Sequence, residues 1–234
     1  MDRRHFNWLT VSCLAVPGLA FHATSAAVSL ADLSNTQASQ GLKAALEQGA
    51  RAAVASLGQP GGFLGNDKVR IPLPGYLEEA AGLLRTFGQG KRLDELVTAM
   101  NQAAEAAVPL AKDMLVNAVK TMNVQDAKNI LSGGETSVTQ FFADKTRAPL
   151  GLKFLPVVKK TTAQVNLADK YNQIASKAAG MGLIKGEEVS VERYVTSKAL
   201  DGLYFMIGEE EKKIRQDPVG SGSALLQKVF GALK

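Results

Sequence analysis

Gly41, Ala45, Gly49 and Ala53 stand four residues apart in a stretch that contains no proline. Residues at i and i+4 lie one above the other on a helix, so this spacing collects four small side chains on one face. A glycine inside a helix costs roughly 1 kcal/mol of propensity. Two glycines in register therefore predict a neighbouring backbone pressed against that face. Leu42, Leu46 and Leu57 complete the inner side of a helix expected over 36–57.

The same period runs through the rest of the chain. Apolar residues recur at helical spacing almost throughout, alanine is abundant, and β-branched runs are scarce. That pattern reads as an all-α chain, a single-domain multi-helix bundle over 28–234. One segment breaks it. In "GQPGGFLGNDKVRIPLPG", residues 58–75, Pro60, Gly61 and Gly62 end the helical pattern and "GND" marks a turn. Val69 and Ile71 then alternate, and residues before proline avoid the helical region. A short extended or hairpin loop is expected near 60–74. Pro74 opens a short helix that stops at Gly88, and a long helix follows over 91–122. Asn123, with Asp126 three residues on, is expected to cap the next helix, which ends at Gly133. Further helices are expected over 136–146 and, with Pro156 inside, over 149–179 as one kinked helix or two. "GMGLIKGEE" at 180–188 reads as a loop. Ser190 caps a helix to about 216, with Val189 and Tyr194 placed as a hydrophobic staple. Residues 217–234 hold Pro218, a Gly/Ser linker and a docked C-terminal helix.

Residues 1–27 read as an export signal that is removed. Arg3 and Arg4 precede a mostly apolar run from Trp8 to Phe21, and the small residues "ATSAA" follow. The run is shorter than the roughly 20 residues a membrane-spanning helix needs. "RRHFNWL" resembles the twin-arginine pattern except at Asn7, so the twin-arginine and general secretory routes both stand. Cys13 lacks the leucine expected three residues before a lipid-anchored cysteine. The expected compartment is the periplasm.

Removing that segment bounds the chemistry. Both histidines (His5 and His22), the single cysteine (Cys13) and the single tryptophan (Trp8) lie within it. Residues 28–234 therefore have no Ser-His-Asp or Cys-His nucleophile system. They also have no zinc, iron–sulfur or haem ligands of the His or Cys type, and no disulfide. No cofactor and no metal site is expected. Carboxylates, Lys, Tyr and Ser/Thr remain, and carboxylate pairs can hold Ca²⁺ or Mg²⁺ or act as acid and base. Ser-x-x-Lys, Gly-x-Ser-x-Gly, Gly-x-Gly-x-x-Gly and phosphate-loop motifs do not occur.

Charge is unevenly spread. Asp144 to Lys185 holds eight bases and two acids, and Glu187 to Asp217 holds eight acids and five bases. These are either two solvated faces that attract each other or a basic surface for anionic lipid headgroups. No aromatic-studded basic stripe suggests nucleic acid, and no membrane span is expected after residue 27. "EEEKKIR" at 209–215 reads as a solvated helix end.

Two places carry candidate polar sites. In "MNQAAEAA", Asn101 and Glu105 share one flank of the long helix, beside the apolar face of Met100, Ala103, Ala104 and Ala107. Pro109 lacks the N–H that would bond the Glu105 carbonyl, so a kink and a polar pocket are expected there. Alternatively Glu105 pairs with a Lys or Arg on a neighbouring helix. Asp201 interrupts the apolar "ALDGLYFMIG" and needs a partner if buried. Lys198, Tyr194, Tyr204 or a distant Arg are available. Asp201 is then either a structural residue that fixes helix register or part of a shared site with Glu105, Asn101, Tyr204 and Lys198.

From Gly41 to Gly231 the chain resembles a family of exported bacterial proteins known as domain of unknown function 4197. The resemblance is carried by "GFLGNDKVRIPLP", "MNQAAEAAVPLAKDMLVNAVKTM", "DAKNILSGG", "YVTSKALDGLYFMIGEEEKKIR" and "LLQKVFG". It implies an exported helical protein of the Gram-negative envelope and carries over no catalytic residue. The expected function is non-catalytic binding of a lipid-like apolar ligand or a partner protein. Two alternatives are a carboxylate-based enzyme or Ca/Mg-binding protein using Glu105 and Asp201, and a structural envelope interaction protein.

Overall fold

The computed structural model describes residues 29–125, 127–182 and 190–233. The segment expected to be an export signal, Asp126, Val189 and most of the loop expected at 180–188 lie outside the described residues. Among the described residues there is no strand, and the chain is an all-α multi-helix bundle.

Four long helices make the frame: α1 (Asn35–Leu57), α3 (Gly90–Thr121), α5 (Ser137–Gln164) and α7 (Val191–Gln216). Each packs against two neighbours, in the order α1, α3, α5, α7 and back to α1, while the diagonal pairs touch far less. Their apolar faces meet in one connected buried cluster that includes Leu42, Leu46, Met100, Phe142, Phe154 and Leu203. Shorter helices close the flanks. α2 (Gly75–Leu84) lies against α6 (Leu167–Gly180), which packs on α3; α4 (Ala127–Leu131) packs on α1 and α5; α8 (Ala224–Gly231) packs on α1. A π-turn over Arg85–Gln89 joins α2 to α3, with Gly88 at φ 74° where the sequence placed a helix end.

Local chemistry sets these boundaries. Ser34 opens α1: its hydroxyl accepts the Gln37 N–H at 3.1 Å and the Gln37 side chain accepts the Ser34 N–H at 3.1 Å. This reciprocal pair satisfies two N-terminal donors at once. Ser190 caps α7 by accepting the Arg193 N–H at 3.3 Å, as the sequence predicted. The small-residue face of α1 meets two different helices. A Cβ on Gly41 would stand 2.6 Å from Val229 of α8, and one on Gly49 would stand 3.3 Å from the Ile207 carbonyl of α7.

The structure departs from the sequence reading at α5. The helix expected to stop near residue 146 continues to Gln164 through both Pro149 and Pro156, and the break falls at Asn166, with φ 51°. Both prolines are exposed. The carbonyls they leave unbonded, those of Lys145 and Leu152, therefore lie on the solvent side, where water can satisfy them.

The segment between α1 and α2 takes the extended alternative of the two expected, and no hairpin forms. Residues 58–69 coil through tight turns, and 70–74 run extended. Val69, Ile71 and Leu73 are buried and alternate with exposed Arg70 and Pro72. This is a strand-like alternation whose hydrogen-bonding partner is a side chain, Asn101, in place of a second strand.

Candidate functional site

Asn101 is fully buried. Its Oδ1 accepts the Ile71 N–H at 2.8 Å, and its Nδ2 donates to the Ile71 carbonyl at 2.9 Å and to the Val97 carbonyl at 2.8 Å. The carboxamide thus satisfies both backbone groups of Ile71, as a paired strand would. One turn on, Glu105 is 7% exposed. Its Oε1 accepts the N–H groups of Phe63 and Leu64, each at 3.0 Å. The expected ion pair with a neighbouring helix is absent among the described contacts; two backbone donors take its place. The flank that helical geometry placed at the edge of the apolar face is covered, because the 58–74 segment lies over it. A third side chain holds the same segment: the Tyr194 hydroxyl donates towards the carbonyls of Pro72 at 3.1 Å and Leu73 at 3.3 Å. Burial, followed by nearby Tyr76, Glu78 and Asp201, pushes the Tyr194 phenol up to about 12.

The packing beneath agrees with this clamp. Phe63 is fully buried, and a Cβ on Gly202 would stand 2.7 Å from its ring. The ring of Pro109 lies against Gly58, where a Cβ would come within 2.6 Å. The proline in α3 therefore seats the start of the segment.

Asp201 lies elsewhere. Its side chain is 41% exposed, so the central burial expected from its apolar neighbours does not occur. Arg147 of α5 pairs with its Oδ1 at 2.5 Å and Lys198 lies 3.5 Å from its Oδ2. The apolar residues around Asp201 wrap the other sides of α7 and leave this position at the α5–α7 seam. Lys198 also stands 5.9 Å from the Tyr194 ring centre. Tyr204 is buried, edge-on to Phe142 at 5.8 Å. The Thr146 hydroxyl donates to the Phe142 carbonyl at 2.6 Å, so the Tyr204 hydroxyl donates to Thr146 at 3.0 Å. Burial raises the Tyr204 phenol, opposed by Thr146 and Arg147. The five candidate residues thus divide into the Asn101–Glu105 clamp and the Asp201, Lys198 and Tyr204 group at the α5–α7 seam. Glu105 and Asp201 share no hydrogen-bond partner, and no group of three or more acidic or other metal-ligating side chains occurs among the described residues.

One polar centre was missed by the sequence reading. Glu211, within "EEEKKIR", is 2% exposed. Its carboxylate accepts the Val138 N–H at 3.1 Å, and the Thr139 N–H at 2.8 Å and hydroxyl at 2.7 Å, which caps the start of α5. Arg215 closes on it through Nε at 3.0 Å and Nη2 at 2.8 Å, and also donates to the Leu131 carbonyl and the Ser137 hydroxyl. The solvated-end reading holds for Glu209, Glu210, Lys212 and Lys213, which pair at a spacing of three. It fails for Glu211 and Arg215. The signal that could have found them is the i, i+4 spacing of a Glu and an Arg in phase with buried Ile207 and Ile214.

A groove of about 840 Å³ lies where α3 ends and α5 passes over it. Met114, Met122, Ile130, Phe141 and Leu150 supply apolar lining. Exposed Lys145 and Lys153 line it too, and Thr146 ties its wall to Tyr204. No helix among the described residues is long and apolar enough to cross a membrane.

Neither a curated protein nor a solved structure matches the chain. A family model described as a protein of unknown function (DUF4197) matches residues 32–231, and the chain belongs to that family.

Proposed function

We propose that this is an exported envelope protein that binds an amphiphile with an acyl chain and an anionic head in the groove between α3 and α5. One observation carries the reading: the groove combines an apolar lining that includes two methionines and Phe141 with two lysines that have no ion-pair partner among the described residues. Its volume falls within the roughly 300–1,000 Å³ of small-molecule sites. Methionines adapt to flexible chains, and lysines extend apolar stems along a chain while their charged ends meet a carboxylate or phosphate. The sequence supports the compartment, through the Arg3–Arg4 start and apolar run of residues 1–27.

A fluorescent fatty acid titrated into delipidated protein tests this. Saturable binding of one molecule per chain is expected. Ala118→Trp, which fills the groove, weakens it at least about tenfold, the value of roughly 1.4 kcal/mol of lost contact. Lys145→Glu weakens a fatty acid but spares the matching fatty alcohol. Absence of saturable binding, or indifference to both substitutions, overturns the reading.

The carboxylate-enzyme reading has less support. Glu105 is occupied by two backbone N–H groups and Asp201 by Arg147 and Lys198, so neither offers a free oxygen pair facing the other.

A further inference from the structure

We propose that the outward face of α5 docks on an anionic phospholipid membrane, with Leu152 inserted between headgroups and Lys145, Lys153, Lys159 and Lys160 held against their phosphates. At 3.6 residues per turn, Lys145, Pro149, Leu152, Lys153, Pro156, Lys159 and Lys160 fall on one side of the helix. All seven are exposed. Leu152 is 78% exposed, the most of any large apolar side chain among the described residues. Along the same stretch of the helix, the side opposite Leu152 carries buried Leu150, Phe154 and Val158, so the exposed leucine is not a misplaced core residue.

Charge decides the partner. No acidic side chain falls on this face, and none of its four lysines forms an ion pair among the described residues. Nearby Asp144 accepts from Gln140. Arg147, which points away from the face, is the α5 cation matched internally, by Asp201. Four lysines without a carboxylate partner, around an apolar side chain, suit a surface that is anionic outside and apolar just beneath. The face has no aromatic platform of the kind single-stranded nucleic acid needs. Lys145 and Lys153 also line the α3–α5 groove, which puts the groove at the membrane surface. The docking does not depend on what the groove holds.

Co-sedimentation of the purified protein with phosphatidylcholine vesicles, with and without phosphatidylglycerol, tests the proposal. Binding is expected only with phosphatidylglycerol and falls as salt rises. Each lysine is worth about fivefold in affinity, so Lys159→Glu with Lys160→Glu weakens binding at least tenfold. Leu152→Asp weakens it by about the same factor, by removing the inserted side chain. Lys159→Arg with Lys160→Arg retains binding, and so does Lys91→Glu on α3. All these positions are exposed and none lines the groove, so every variant keeps the wild-type helical circular dichroism and urea midpoint, which report that it is folded. Equal binding to both vesicle types overturns the proposal. So does wild-type binding by the Lys159/Lys160 charge reversal and by Leu152→Asp.

Discussion

At the scale of single residues, two side chains in "MNQAAEAA" anchor seventeen residues of irregular chain, and their roles predict unequal responses to similar substitutions. Asn101→Ala strands both backbone groups of buried Ile71. At about 1–3 kcal/mol for each unsatisfied group, a loss of about 2–6 kcal/mol in urea denaturation is expected. Glu105→Gln keeps a carbonyl oxygen for the Phe63 and Leu64 N–H groups and lowers stability by about 1 kcal/mol, whereas Glu105→Ala costs about 2–4 kcal/mol. Equal losses from the two Glu105 variants would contradict the clamp. Tyr194 adds a pH dependence. Its phenol ionises near 10 when unfolded and at about 12 when folded. The neutral form is the one favoured in the fold, so its contribution is complete below pH 10 and disappears as pH rises from 10 through about 12. Tyr194→Phe lessens the fall in stability across that window, and the raised Tyr204 leaves part of it. The helical spacing of Asn101 and Glu105 was legible in the sequence, but their partners were not. Apart from the Val97 carbonyl, those partners are backbone groups thirty or more residues away, and backbone groups carry no side-chain signature.

At the scale of elements, periodicity found the helices and proline misled about where one of them ends. A break was expected between 146 and 149, where Pro149 removes a helical hydrogen bond. Exposed on α5, it leaves only solvent-side carbonyls without partners, and the helix runs on. The small-residue stripe of α1 was readable as a close approach, although not as an approach of two helices. Gly41→Ala brings a methyl against Val229. It is expected to cost about 1–3 kcal/mol by overpacking, visible as a lower urea midpoint, and Val229→Ala in the same chain recovers part of that loss. Glu211 is the element-scale residue that composition hid. It sits in a run of three glutamates, and only its phase on α7 distinguishes it. Glu211→Ala removes the cap of α5 and leaves Arg215 without its carboxylate. A loss of about 3–5 kcal/mol is expected, as for other broken buried pairs, while Glu210→Ala, at an exposed pair, changes stability by less than about 1 kcal/mol.

At the scale of the whole molecule, the ring of α1, α3, α5 and α7 separates holding from binding. The α1–α2 segment is locked to α3 and α7 by Asn101, Glu105 and Tyr194. On α5, the lysines of the groove and of the outward face form no ion pair among the described residues. The two candidate carboxylates are each engaged, Glu105 by the Phe63 and Leu64 N–H groups and Asp201 by Arg147 and Lys198. The groove itself was not legible, because its walls come from α3, the α3–α4 connection and α5, which only the packing brings together. Amide chemical-shift mapping during titration with lauric acid tests this division most directly. The account predicts shifts confined to residues 114–125, 130 and 141–153, with amides at 63–64, 71 and 101–105 unmoved. Shifts centred on the Asn101–Glu105 clamp, with none along the groove, would contradict it.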